Sequence, residues 1–138
     1  KYERTQRGSM NNVGPPQDCA AIEVETPDGK LFAIIIEEKG VPHEVLIEIG
    51  KTGQSVRAWA DAIGRVISLC LQSGLGIERI IEELSGVTTD KLTKSRGQNI
   101  RSGPEGVAYA LIRYIQEQSA SLMEETKDVD YRDLRADE

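Results

Sequence analysis

Basic residues concentrate in one polar stretch of this 138-residue chain, between Asp90 and Gly103. Four bases face a single acid there, although the whole chain has a formal net charge of −6; the bases are Lys91, Lys94, Arg96 and Arg101. The stretch ends where a helix is expected to begin, and the dipole and unpaired N–H groups of a helix start favour anions. Arginine binds phosphate through paired hydrogen bonds. The pattern predicts a phosphate site, and the alternative is a solvated loop whose bases pair with acids elsewhere.

The expected helix start has residues suited to capping and to anion binding. Ser102 suits the N-cap, Pro104 is tolerated in the first turn, and Glu105 lies three residues on, as a capping box requires. We expect the hydroxyl of Ser102 and the N–H groups of Gly103 and Glu105 to hold a phosphate, and Asn99 to read a base or a ribose. The predicted ligand-binding residues are Arg57, Lys94, Arg96, Asn99, Arg101, Ser102, Gly103, Glu105 and Arg113.

A second pattern with possible phosphate chemistry is Gly50–Thr52, which reads G-K-T. A phosphate-binding loop needs a further glycine five residues before Gly50, and that position is Val45, inside a predicted strand. The backbone N–H groups from Gly53 to Ser55 could still bind an anion at the start of a helix. The alternative is a turn that only joins a strand to a helix.

Catalysis and metal binding have little support in the sequence. His43 is the only histidine and has no recognisable partner set, and Cys70 lies on an apolar helix stripe. Two cysteines, Cys19 and Cys70, make neither a disulfide framework nor a four-ligand zinc set. We therefore predict a non-catalytic protein with no metal and no cofactor.

The elements that must position these residues indicate an α+β fold. Two stretches alternate between apolar and polar residues, and a continuous β-branched run lies between them. The predicted strands are Cys19–Thr26, Leu31–Ile36 and Val41–Ile49. Short connections, including the turn residues Pro27–Gly29, predict an N-terminal antiparallel β-meander, followed by two or three helices.

The longest helix is predicted at about residues 55–73, with Ser55 as its N-cap and Gly74 at its end. We expect it to pack on the sheet through one apolar stripe: Val56, Trp59, Ala60, Ile63, Val66, Ile67, Cys70 and Leu71. Its small residues would let another backbone approach, either the sheet of the same chain or a second copy in a homo-oligomer. These residues are Ala58, Ala60, Ala62 and Gly64.

Shorter helices are predicted at about 77–84 and from about 102 onward. The second of these has a buried stripe of Val107, Leu111, Tyr114 and Ile115. We expect an N-terminal arm over residues 1–17, a single domain over 18–121 and a loosely held acidic tail over 122–138. No apolar run is long enough to span a bilayer and no secretory signal is visible, so we expect a cytoplasmic protein without general nucleic-acid binding. If a phage encodes it, that is the host cytoplasm.

The run from Ala60 to Gly74 resembles the helix of the TSCPD domain family, which reads A-E-A-x-G-R-x-I-S-L-x-L-x-S-G. The family also tends to place G-K-x-G before this helix, matched by Gly50–Gly53. Its naming motif aligns with Arg101–Glu105, where Gly103 stands in the position of the family cysteine. The resemblance implies the family scaffold, without the thiol or metal role that a cysteine could supply. This domain occurs at the end of cobalamin-dependent ribonucleotide reductases and in small stand-alone proteins.

In size and element order the chain also looks like phage counter-defence sponges that sequester cyclic nucleotide signals, as in Thoeris anti-defence. We therefore expect a non-catalytic oligomer that sequesters a phosphorylated nucleotide. The alternative is an accessory or regulatory domain that acts on a cobalamin-dependent ribonucleotide reductase through protein contact. A regulatory enzyme is disfavoured, because no acid–base or nucleophile set is recognisable.

Overall fold

A computed structural model describes the backbone of residues 18–136 and the side chains of residues 18–124. Three strands form an antiparallel sheet in sequence order: β1 (Cys19–Thr26), β2 (Gly29–Glu38) and β3 (Val41–Ile49). The elements after the sheet are α1 (Gln54–Gln72), α2 (Ile77–Leu84), β4 (Thr93–Ser95), β5 (Gln98–Ile100) and α3 (Gly103–Ala136). The predicted α+β fold, a meander followed by helices, is confirmed.

Alternation along the strands places one row of side chains from each on the same face of the sheet, where they are buried. That row consists of Ile22, Val24, Leu31, Ala33, Ile35, Val45, Ile47 and Ile49. α3 packs on β1 and β2, and α1 packs on β3. Ile67 of α1 and Val107 and Leu111 of α3 complete the core. The helices therefore cover the face that the sequence pattern marks as apolar.

α1 lies so close to β3 that it hydrogen-bonds to the free edge of that strand. The Ser68 hydroxyl accepts from the N–H of Val45 at 2.9 Å, and it lies 3.2 Å from the Val45 carbonyl oxygen. One turn later, Gln72 Nε2 donates to the carbonyl oxygen of His43 at 3.3 Å. A Cβ added to Gly64 would lie 3.0 Å from the Val45 carbonyl oxygen. The small-residue pattern of α1 is thus explained at Gly64 by the sheet of the same chain.

The opposite edge of the sheet, along β1, is also held by side chains. The N–H of Glu25 donates to Ser95 Oγ at 3.0 Å, which ties the β4–β5 hairpin to β1. Arg113 Nη1, on α3, donates to the carbonyl oxygen of Glu23 at 2.8 Å. Unpaired strand edges favour aggregation, and such contacts protect them.

Both ends of the longest predicted helix can be compared with the structure. α1 begins at Gln54, and its N-cap is Gly53, without a side-chain cap. The prediction of Ser55 as the N-cap is therefore wrong, because Ser55 already lies inside the first turn. Gly74 follows the helix with φ +92°, as expected for a terminating glycine.

The last helix is longer than the sequence pattern indicated. α3 continues to Ala136, although we expected a loosely held acidic tail over residues 122–138. The N-terminal arm lies outside the described residues, and the three-part division of the chain stays a prediction. Within the described part, none of the helices combines the length and the apolar character that a bilayer crossing requires.

Replacing Gly64 with alanine tests the close contact between α1 and β3. In an open helix this change raises stability by roughly 1 kcal/mol. Here the new Cβ would press on the backbone oxygen of Val45. We therefore expect the free energy of unfolding to fall by about 1 to 3 kcal/mol, as for other overpacked sites, measured by urea denaturation.

The matched control is Ala58→Gly on the exposed side of α1. It changes helix propensity alone, so it should lower the free energy of unfolding by roughly 1 kcal/mol. If Gly64→Ala raised stability by the amount that the reverse change removes at Ala58, the helix and the strand would not be in contact.

A polar cluster joins the bulge of β2 to α3. The register of β2 on β3 shifts between Ile36 and Glu37, and the Glu37 carboxylate accepts from the Tyr114 hydroxyl. Gln118 Nε2 donates to the same oxygen at 2.8 Å. Burial, together with the hydrogen bond and the charge of Glu37, raises the pKa of Tyr114 above its ordinary value.

This raised pKa predicts how stability depends on alkaline pH. The folded state holds the Tyr114 proton more tightly than the unfolded state. The contribution of Tyr114 to the free energy of unfolding is therefore complete below about pH 10 and is lost as pH rises further. In Tyr114→Phe, the free energy of unfolding should fall less steeply as pH rises above about 10. At neutral pH it should be lower than in wild type by roughly 1.5 to 3 kcal/mol, because the hydrogen bond to Glu37 is lost. Urea titrations followed by far-UV circular dichroism from pH 8 to about pH 11 measure both effects.

Lysines also titrate in this range, so the informative quantity is the difference between wild type and Tyr114→Phe. Tyr109→Phe, which removes a tyrosine hydroxyl elsewhere on the same helix, is the control. An identical slope in wild type and Tyr114→Phe would contradict the hydrogen bond from Tyr114 to Glu37.

Candidate ligand-binding site

The basic stretch folds in its middle into the β4–β5 hairpin. Its two-residue turn is Arg96 and Gly97, with φ +49° and +81°. Left-handed values at both central residues belong to a type I′ turn, whose twist matches that of the paired strands. Gly97 adopts this conformation without strain, which is the local reason that the chain turns here.

The register of the hairpin decides which side chains point outward. Lys94 is paired with Asn99, and both are exposed. Ser95 and Ile100 are buried on the other face, Ser95 against β1. We use the name hairpin cluster for the four predicted site residues that the structure brings together here: Lys94, Arg96, Asn99 and Arg101.

The backbone on either side of the hairpin cluster is held by hydrogen bonds. The N–H of Arg101 donates to Glu105 Oε1 at 3.0 Å, and its carbonyl oxygen accepts from the N–H and the hydroxyl of Thr89 at 3.1 and 2.6 Å. The Arg101 side chain is exposed. The backbone of Arg101 is therefore fixed while its guanidinium faces solvent.

The bases of the hairpin cluster have no counter-charge of their own within residues 18–124. No carboxylate in that range lies within ion-pair distance of Lys94, Arg96 or Arg101. The alternative to a phosphate site was a solvated loop whose bases pair with acids elsewhere. The described residues do not show such pairs. Three positive charges are thus exposed within eight residues of a chain of net charge −6.

Ser102 caps α3 as the sequence predicts, and this cap uses groups that we expected to hold a phosphate. The other half of the capping box differs, because the Glu105 carboxylate accepts from the N–H of Arg101. Ser102 Oγ accepts from the N–H of Glu105 at 3.0 Å and donates to the carbonyl oxygen of Val87. Ser102 and Gly103 are buried. The Ser102 hydroxyl and the Glu105 N–H are therefore occupied by the fold, which corrects their assignment as free donors.

An acidic side chain also lies beside this helix start. A Cβ added to Gly103 would lie 3.0 Å from Asp28 Oδ2, in the turn between β1 and β2. A side chain at position 103 would require the Asp28 carboxylate to shift by a few tenths of an ångström. The Asp28 carboxylate would repel a second anion at the same place, so the start of α3 is a poor phosphate site.

Arg113 is separated from the hairpin cluster by its role in the fold. Its side chain is only 11% exposed, with Nη1 on the Glu23 carbonyl oxygen and Nη2 3.6 Å from Glu117 Oε1. The guanidinium carbon lies 5.9 Å from the centre of the Tyr109 ring. These contacts give the Arg113 guanidinium a structural role in the fold. They correct the prediction that Arg113 lies in the phosphate site.

Arg57 lies on a different element, in the first turn of α1, and is exposed. The start of α1 has no side-chain cap and no acidic residue in its first turn. Within residues 18–124 no carboxylate forms an ion pair with Arg57. Arg57 therefore remains a candidate phosphate ligand, apart from the hairpin cluster.

The remaining chemically active side chains form no recognisable site. His43 Nε2 lies 3.2 Å from Glu38 Oε2 near the turn between β2 and β3. Cys19 is exposed and Cys70 is partly buried, and both are free thiols. Among the described residues, no three side chains of His, Cys, Asp or Glu are grouped as metal ligands would be.

A concave surface, which the sequence did not reveal, lies between α1 and α2. This groove has a volume of about 450 Å³ and is lined almost entirely by apolar side chains. We call it the α1–α2 groove; its residues are Trp59, Ala62, Ile63, Val66, Ile67, Cys70, Leu75, Arg79, Ile80, Glu83 and Leu84. Trp59 and Val66, which we expected to be buried against the sheet, are 43% and 60% exposed.

The sequence contains a signal that could have revealed the groove. The apolar residues of α1 occupy more of the helix circumference than one sheet contact can cover. Ala60 and Ile67 face the sheet, while Trp59, Val66 and Leu69 lie on a second, exposed stripe. Treating both sets as one stripe led to the wrong burial for Trp59 and Val66.

Comparison with known proteins gives one match. The family model of the TSCPD domain matches residues 2–115. A search of curated proteins and a search of solved structures each found no match. The family match covers most of the chain, including α1, the hairpin and the start of α3. The chain therefore belongs to the TSCPD domain family.

Proposed function

We propose that this protein is a non-catalytic, oligomeric binder of a phosphorylated nucleotide, and that the hairpin cluster holds the phosphates. The observation that supports this most is the exposure of Lys94, Arg96 and Arg101 without a counter-charge in the described part of the chain. Such bases bind phosphate oxygens through charge-assisted hydrogen bonds, which are stronger than neutral ones.

The hairpin supports the proposal because it limits the backbone motion of these side chains. Ser95 anchors β4 to β1. Hydrogen bonds hold both the backbone N–H and the carbonyl oxygen of Arg101. A preorganised donor set loses less conformational entropy when it binds a ligand. Asn99, opposite Lys94, supplies an amide that can read a base or a ribose.

A hairpin face that is open to water needs a second wall to enclose a small ligand. A second protomer supplies that wall in the proposed oligomer, and Arg57 is a further candidate ligand residue there. In this proposal the protein holds a cyclic nucleotide signal in the cytoplasm without converting it. Sequestration needs affinity and stoichiometry, and it needs no acid–base set.

Calorimetry with cyclic ADP-ribose isomers and cyclic dinucleotides tests the proposal. We expect at least one of them to bind, and Arg96→Ala or Arg101→Ala to weaken binding roughly tenfold or more, because each removes a charge-assisted hydrogen bond. Lys39→Ala removes one positive charge from the turn between β2 and β3 and should leave affinity nearly unchanged. Equal loss in all three variants would indicate a general charge effect, and no binding of any nucleotide would refute the proposal.

The fate of a bound nucleotide separates sequestration from catalysis. After binding, the protein is denatured and the released nucleotide is identified by mass spectrometry. We expect its mass and retention time to be unchanged. A cleaved product, absent from a control without protein, would show an enzyme.

The alternative is an accessory domain of a cobalamin-dependent ribonucleotide reductase, and the α1–α2 groove is the observation in its favour. A large exposed apolar surface is typical of a protein-binding site. Pull-down of such a reductase with this chain separates the two functions. A stable complex that is insensitive to Arg101→Ala would favour the accessory role, and no complex is expected if the chain is a nucleotide binder.

A further inference from the structure

The surface around the α1–α2 groove is unusually apolar for a region left exposed. Val66 is 60% exposed, and Trp59, Leu69 and Leu75 are each more than two-fifths exposed. Along α1 four exposed apolar residues follow one another at spacings of three, four and three residues: Trp59, Ala62, Val66 and Leu69. This spacing keeps side chains on one line of a helix that packs against another helix.

The shape of this surface combines a ridge and a hollow. The hollow is the α1–α2 groove, with Ile67 and Ile80, both buried, among its lining residues. Val66 is part of its wall, and Leu69, outside the groove, continues the exposed line along α1. A small apolar molecule could fill the hollow, but it would leave the Leu69 end of the ridge in water. A ridge beside a hollow is the geometry that a two-fold axis makes self-complementary.

The charges of the groove also favour a second copy. Arg79 and Glu83 are the two charged residues that line it, one of each sign, on the same face of α2. They form a long, exposed contact of 3.9 Å within one chain. Two chains of net charge −6 repel each other over most of their surfaces, and this surface carries no net charge. Across a two-fold axis, each arginine can meet the glutamate of the other copy.

We propose that the α1–α2 groove is the contact between two copies of this chain, related by a two-fold axis, in which each Val66 ridge enters the groove of the other copy. The inference goes beyond the proposed function, because the groove is a surface separate from the hairpin cluster, and it does not rest on nucleotide binding. The apolar stripe and the groove are buried together, and Arg79 of each copy pairs with Glu83 of the other.

The first test is the mass of the full chain in solution without added ligand, by light scattering after size-exclusion chromatography. We expect wild type at twice 15.2 kDa and Val66→Glu as a monomer, because a carboxylate on the ridge would enter an apolar groove. Val41→Glu is the matched control: Val41 is 63% exposed at the start of β3, and the variant should remain a dimer. Circular dichroism checks that each variant is folded.

The second test uses the charges of Arg79 and Glu83. It stays informative even if Val66→Glu fails to fold. Arg79→Glu places two glutamates together across the axis, and Glu83→Arg places two arginines together, so each variant alone should dimerise weakly. Mixing the two variants restores both opposite-charge pairs between chains, while the pair within each chain stays broken. Native mass spectrometry of the mixture should show a heterodimer in excess of either homodimer.

Three outcomes would overturn the proposal. The first is a wild-type monomer at about 100 μM, where contacts with a Kd near that value are substantially formed. The second is a Val66→Glu variant that stays dimeric, which would place the contact elsewhere. The third is a mixture of the charge variants that shows no excess of heterodimer. A retained apolar molecule on a monomer would identify the groove as a ligand pocket instead. None of these readouts uses a nucleotide, so they are independent of the calorimetry.

Discussion

A three-stranded sheet leaves a row of backbone groups without a strand partner along each edge, and the structure depends on how these rows are satisfied. On the β3 side, α1 lies along the edge, with Ser68 and Gln72 bonding to it. On the β1 side, the partners are Ser95 and Arg113. Unsatisfied backbone groups are costly when buried and adhesive when exposed, so these four side chains stabilise the fold and limit aggregation.

The same contacts decide what the protein shows to its surroundings. Because α1 runs along β3, the side of the helix away from the strand, including Val66, stays exposed and forms one wall of the α1–α2 groove. Because Ser95 holds β4 against β1, the other face of the hairpin turns outward with Lys94 and Asn99. Closing the sheet edges thus creates an apolar surface at one place and a basic surface at another.

These two surfaces are made by different elements, and their chemistry is different. The hairpin cluster offers positive charges and an amide, which suit a small phosphorylated ligand. The groove offers apolar area with one charge of each sign, which suits a protein surface. Membership of the TSCPD domain family is consistent with either use. Binding of a ligand and contact with another chain can therefore be examined separately by substitution.

Local rules were sufficient for the features of this protein that depend on neighbouring residues. Strand alternation set the buried face of the sheet, and Ser102 set the start of α3. Each of these is decided by backbone conformation or hydrogen bonds within a few residues, so one chain segment contains all the information needed.

Contacts between distant segments decided the rest. Periodicity shows that Trp59 and Val66 are apolar positions on a helix, but it cannot show whether another element covers them. The positive charge of Arg113 is visible in the sequence, and only packing turns it toward the Glu23 carbonyl oxygen rather than toward a ligand. The physical reason is that a side chain is exposed or buried, and free or bonded, according to what lies opposite it, and here the opposite group comes from 90 residues away in the chain.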